Sequence, residues 1–115
     1  MLMKDGFIRV AAGSFKVSIA NVKKNAQEII RLSKEANANH TQVHVLNELC
    51  LTGYTVEHLF FQKRVLNESE TQLQYILDET KDLDTVIVIG MPLIIRNDLY
   101  NCALVFHRGD ILGAT

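Results

Sequence analysis

Cysteine is scarce in this chain, and so is any imbalance of charge. Only two thiols occur in 115 residues, Cys50 and Cys102, too few for the disulfide framework of a small secreted domain. The opening Met1-Leu2-Met3-Lys4-Asp5-Gly6 is no signal peptide, because Asp5 and Arg9 interrupt any apolar stretch after the basic residue. Both observations point to a reducing cytoplasm. Without a secretory signal, Asn39-His40-Thr41 and Asn67-Glu68-Ser69 are chance matches to a glycosylation acceptor. Twelve Lys and Arg stand against thirteen Asp and Glu, a formal net charge of -1. The charges are scattered, which excludes the basic footprint of a nucleic-acid binder and an electrostatic patch for an anionic membrane. No apolar run approaches a membrane span. Glycine-rich phosphate loops are missing too, so these residues are expected to bind no nucleotide.

What is present is the material of a core. Hydrophobic residues make up 48% and charged residues 22%, which argues for one domain or part of one and against disorder. Phe7 to Phe15 reads as a strand. Val22, Ala26, Ile29, Ile30 and Ala36 then share one helical face, with Lys23, Lys24, Glu28, Arg31, Lys34 and Glu35 falling between them. Asn21 or Ser18 is placed to cap that helix. Gln42 to Leu46 is a second strand, Thr52-Gly53-Tyr54 a turn, and a second helical region runs from about Val56 with a break near Asn67. Thr85 to Gly90 is continuously apolar, which predicts a central strand covered on both faces. Leu93–Ile95 and Leu99–Phe106 read as a hairpin across Arg96-Asn97-Asp98, and Arg108-Gly109-Asp110 as a turn into another strand. The Arg-Gly-Asp triplet is read as that turn and not as an adhesion motif. The order βαβα followed by consecutive strands predicts an α/β layered fold. Its last strand stops at Thr115 without a closing helix, so the chain is expected to be the front of a larger domain. The unpaired edge is expected to seek a partner, making a homo-oligomer.

Glu48 is the residue with chemistry to offer. It follows the apolar stretch Val43 to Leu46 and precedes Leu49-Cys50-Leu51-Thr52-Gly53-Tyr54, at a strand end where α/β folds place working side chains. The bland alternative is an N-cap for the next helix. Cys50 and Cys102 read as small buried hydrophobes. His44, Glu48 and His58 match no metal-ligand spacing, and no metal site is expected. Asn101 reads as structural, its amide satisfying backbone groups near the sheet end.

These residues carry a resemblance. The blocks Val10-Ala11-Ala12, Asn25, Glu48-Leu49-Cys50-Leu51-Thr52-Gly53-Tyr54, Leu59-Phe60, Gly90-Met91-Pro92-Leu93, Leu99-Tyr100-Asn101-Cys102-Ala103 and Gly109-Asp110-Ile111-Leu112-Gly113 occur in the order and spacing of the nitrilase superfamily of carbon-nitrogen hydrolases. Leu59-Phe60-Phe61-Gln62 makes the chain most similar to the N-terminal glutaminase domain of the glutamine-dependent NAD synthetase branch. The resemblance implies the first part of an αββα sandwich, covering residues 1–115 and ending before the family's catalytic lysine and cysteine. It implies that Glu48 is the general base that takes the thiol's proton, with the lysine stabilising the tetrahedral oxyanion. It also implies that Tyr54 lines the pocket of the small-molecule amide, unless its ring packs under the loop. Neither Cys50 nor Cys102 matches the family's nucleophile. ATP and Mg are implied for a C-terminal synthetase domain, the expected partner of this one, and no cofactor for these residues themselves. Two departures stand out. Asn47 replaces the family's usual proline before the glutamate, and His40 and His44 stand where glycine and an aliphatic residue are usual. The rival readings are a free-standing amidase such as a carbamoylase or ω-amidase, and a non-catalytic fragment or interaction module. Alone, the fragment is expected to be inactive.

Overall fold

A computed structural model of the chain describes residues 6, 8–18, 21–47, 50–51, 59–96 and 98–115, with the backbone alone at 59–63, 65, 94, 95 and 99. Within it lie β1 (Val10–Gly13), α1 (Val22–Ala38), β2 (Val43–Leu46), α2 (Leu59–Thr80), β3 (Val86–Ile95), β4 (Asp98–His107) and β5 (Asp110–Ala114). The strands form one five-stranded sheet in sequence order. β1, β2 and β3 run parallel, and β4 and β5 extend the sheet as antiparallel neighbours. The fold is mixed α/β, as the element order predicts.

α1 forms where the periodicity places it. Asn21 caps it by accepting a hydrogen bond from the Lys24 amide at 3.2 Å. Val22, Ala26, Ile29, Ile30 and Ala36 are all buried, together with Asn25 and Ser33. The helix ends in a Schellman motif: the Thr41 amide donates to Ala36 O at 3.0 Å and the His40 amide to Asn37 O at 3.0 Å. The motif forces a left-handed residue at the turn, and His40 takes it with φ 61°.

α2 differs from the expectation, since it runs unbroken past Asn67. Asn67 is exposed there, and its carbonyl accepts from Thr71 Oγ1 at 3.2 Å. A single asparagine costs a helix under about 1 kcal/mol, less than the burial of Ile76 and Leu77 on the same helix returns.

The sheet also departs from the sequence reading in two ways. β3 continues through Pro92 as one ten-residue strand, where two segments were expected. It pairs with β2 only as far as Val88, so beyond that residue one side of β3 is an edge. A proline, which has no N–H to give a neighbour, is tolerated on such an edge. The second departure concerns cover. Crossovers between parallel neighbours that step across a sheet in one direction are expected to put their helices on the same side. Accordingly Ile87, Ile89, Met91, Leu104 and Phe106 share one core cluster with the buried residues of α1 and α2. The alternate residues face the other way: Val88 is half-buried, and Val10 and Val45 are 64% and 44% exposed. Among the described residues no helix covers that side.

Arg108 (φ 50°) and Gly109 (φ 83°) link β4 to β5 between the paired residues His107 and Asp110. Two left-handed residues in a two-residue loop match the right-handed twist of the strands they join. Arg108 is ion-paired with Asp84. The triplet is a turn, as read from sequence.

Candidate functional site at the end of the second strand

Glu48 and Tyr54, the two residues singled out for chemistry, lie outside the described residues, as do Gly53 and His58. What the structure does describe is the frame that flanks Glu48. β2 delivers Leu46, buried at 6% exposure, and then Asn47. The Cys50 amide, at the start of the turn Cys50-Leu51, donates to Asn47 O at 3.2 Å. Asn47 Oδ1, buried, has no hydrogen-bond partner among the described residues.

The far side of the turn is anchored to β3. Since β2 stops pairing at Val88, Gly90 O is left on an open strand edge. The Leu51 amide donates to it at 3.3 Å, and the Cys50 thiol contacts it at 3.8 Å. Cys50 and Leu51 are fully buried. Burial pushes the Cys50 thiol up to about 11, against smaller opposing pulls from backbone groups of Gly90 and Cys50. A thiol held protonated in this way is a packing group and a poor nucleophile. Cys102 is buried as well, on β4 opposite Met91. Both cysteines are free, in keeping with their reading as small hydrophobes.

Asn25 holds the turn from the helix side. It is 1% exposed, and its Nδ2 donates to Leu51 O at 3.0 Å and to Ser18 O at 2.8 Å. Its Oδ1 accepts from the Ser18 amide at 2.8 Å. One carboxamide therefore joins the segment after β1 to the segment after β2. Leaving such buried donors unpaired would cost about 1–3 kcal/mol. Sequence reasoning gave Asn25 no role, because its partners lie 7 and 26 residues away along the chain.

Beside the turn, the uncovered face of the sheet holds a hollow of about 330 Å³. Val45, Val88, Gly90 and Ala103 line it, with Asn101 and Thr115 as its polar members. Asn101 sits on β4 opposite Pro92. Among the described residues, no group of three or more His, Cys, Asp or Glu side chains is arranged to hold a metal ion. None of the described helices is long and apolar enough to cross a membrane.

Residues 9–115 match the sequence profile of the family described as Carbon-nitrogen hydrolase. The chain belongs to that family. Among carbon-nitrogen hydrolase relatives, a glutamine-dependent NAD(+) synthetase of Mycobacterium leprae is 38% identical over 109 residues, which are 95% of this chain and 16% of that protein. One from Aquifex aeolicus is 28% identical over 106 residues, 92% of this chain and 18% of the relative. The chain thus spans about a sixth of the length of such relatives. The crystal structure of a glutamine-dependent NAD(+) synthetase from Cytophaga hutchinsonii superposes with a TM-score of 0.83 at 25% identity, over 93% of this chain and 18% of that one. An amidase from Nesterenkonia sp. superposes with a TM-score of 0.77 at 16% identity, over 93% of this chain and 41% of the amidase. That second likeness speaks for the fold alone. The five-stranded carbon-nitrogen hydrolase sheet with its two helices is thus the N-terminal portion of a nitrilase fold.

Proposed function

We propose that residues 1–115 are the N-terminal part of the glutamine-hydrolysing domain of a glutamine-dependent NAD synthetase, with Glu48 as its general base. The observation that carries this reading is the 38% likeness to a synthetase across 95% of the chain. The free-standing amidase is the weaker reading, because its support is a likeness of fold at 16% identity.

The chemistry follows from what a carboxylate can do beside a thiol. Glu48 takes the proton of a cysteine supplied by a later part of the protein. The resulting thiolate forms a C–S bond to the glutamine side-chain carbonyl, and the carbonyl oxygen becomes an oxyanion facing a lysine, also supplied later. The C–N bond then breaks, Glu48 returns the proton to the leaving nitrogen, and ammonia departs from a glutamyl thioester. Water, deprotonated by Glu48, hydrolyses the thioester, releasing glutamate and restoring the thiol. Tyr54 lines the amide pocket in this reading. The ammonia passes to a C-terminal synthetase domain, the partner that would bind ATP and Mg to activate deamido-NAD. No step assigned to residues 1–115 runs through those groups. The free state of both cysteines supports the reducing cytoplasm as the compartment.

The test uses the complete protein that contains this segment. Glu48→Gln keeps the side-chain shape and removes the base, and it should lower glutamine hydrolysis by roughly 10²-fold or more. Ammonia release at the unmodified rate would sink the assignment. A preference for short aliphatic amides over glutamine would move the protein to the amidase reading instead.

A further inference from the structure

We propose that His44 is an acid-sensitive latch on β1, its ring seated over Gly13 while neutral and levering that strand away from β2 on taking a proton. This device is independent of the hydrolytic site. Four observations carry it. The ring lies on the side of β2 that Leu46 shares with the helix-covered core, and it is 2% exposed. Its Nδ1 is sealed from solvent and has no hydrogen-bond partner among the described residues. Its Nε2 lies over Gly13, where a Cβ would stand 2.4 Å away. Finally, among the described residues β1 is the outermost strand, four residues long, and it pairs only with β2.

The surroundings decide which way the ring moves. An imidazolium carries a donor on each nitrogen, and a buried charge without a partner is costly. Ala11 and Gly13 of β1, Ile87 of β3 and the buried residues of α1 and α2 present no charged side chain to it. Of the other buried residues only the two cysteines titrate; Cys50 contacts Gly90 O, and Cys102 lies on β4. Arg9 and Lys16, on either side of β1, are exposed cations and oppose a further positive charge. Relief therefore needs water. The α1 and β3 sides belong to the main core, where Ile29 and Ile87 are at most 1% exposed. On the β1 side stand a residue without a side chain and a strand that alternates between exposed and half-buried positions. An element with so few buried contacts opens locally at the lowest cost. Burial lowers the pKa of His44 from 6.5, so the released ring holds its proton more tightly than the seated one. Release is favoured as pH falls below about 6.5, by at most about tenfold per pH unit, and the strand closes again as pH rises.

The experiment follows amide hydrogen exchange by mass spectrometry in the complete protein that contains this segment. Uptake is compared at about pH 7.5 and about pH 5.5, on either side of the unperturbed histidine value, and corrected for the chemical exchange rate. Protection of peptides spanning β1 should fall about tenfold between the two, while that of β4 peptides changes by less than about twofold. In His44→Val the fall at β1 should vanish. That variant keeps His40 and His107, so their titration is not the cause. His44→Gln, neutral and polar, should behave the same way and serves where the valine leaves too little native protein. Unchanged β1 protection in the unmodified protein overturns the proposal, as does an equal fall in either variant. A parallel fall in β4 also overturns it, because the opening is then global. Exchange at the C2–H of His44 reads the ring itself. Should neither variant fold, a C2–H midpoint at or above 6.5 overturns the proposal, and one below it, with the loss of protection confined to β1, sustains it.

Discussion

His44 is the departure from the family pattern whose physical accommodation is visible. Its ring is buried at 2% exposure on the helix-covered side of β2. The space comes from β1: a Cβ built on Gly13 would lie 2.4 Å from His44 Nε2. Gly13→Ala should therefore destabilise by about 1–3 kcal/mol through overpacking. Adding His44→Val should return most of that loss, a non-additivity of about 1 kcal/mol or more in a double-mutant cycle of denaturant midpoints. Purely additive costs would show that the two side chains do not compete. The same burial has a pH signature. His44 Nδ1 has no hydrogen-bond partner among the described residues, and burial lowers its pKa from 6.5. Its sheet neighbours Ala11, Gly13 and Ile87 and the buried residues of α1 include no charged group. With the folded pKa below the unfolded one, the unfolded chain binds more protons between those two values. Stability is then complete above about 6.5 and falls as pH drops through that window, by at most about 1.4 kcal/mol per pH unit. His44→Val should flatten this acid slope in thermal melts. The sequence marked His44 as unusual through resemblance. It did not pair it with Gly13, because the contact is made across strands. Glu48 was singled out for the opposite reason, as its motif is contiguous, whereas the hydrogen bonds of Asn25 are made only through tertiary contacts.

Among the elements, α1 was the most legible and α2 the least. The buried face of α1 is written in its 3.6-residue period, and Asn21 caps it as read. α2 carries polar residues through its middle, so Asn67 looked like a stop. The helix runs on because tertiary packing of residues such as Ile76 and Leu77 outweighs local preference. β3 was divided in the same way, since a proline in a strand is decided by which edge it occupies and sequence does not show edges. The end of α1 yields a prediction. His40 occupies a left-handed position at φ 61°, and it is exposed, with no contact to compensate the strain through burial. His40→Gly relieves about 1–2 kcal/mol of backbone strain and returns part of it as unfolded-state entropy. The expected net gain is about 0.5–1 kcal/mol in the unfolding free energy. A loss of stability would mean that the imidazole does something at the helix end beyond filling the turn.

At the scale of the whole fold, the governing fact is a sheet that the described residues dress on one side and leave bare on the other. α1 and α2 share one core with the same side of the sheet, and the other side is left, among the described residues, with Val10, Val45 and Val88 and the hollow around Gly90 and Ala103. At the last strand, Ile111 and Leu112 add apolar exposure of 50% and 62%. A β-sheet that presents valines to water on one face, with an open strand edge beside it, gains by association. The expected consequence is that the 115-residue polypeptide, made alone, sediments as dimers or larger species. Val45→Lys tests the cause: at 44% exposure the lysine stem can lie along the sheet with its ammonium in water. It should shift the distribution toward monomer at low salt without unfolding the helices. If the polypeptide is monomeric to begin with, or if Val45→Lys leaves its association unchanged while circular dichroism stays native, the bare face is not what drives assembly. The edge of β5 would then be the surface to alter, through a lysine at Leu112.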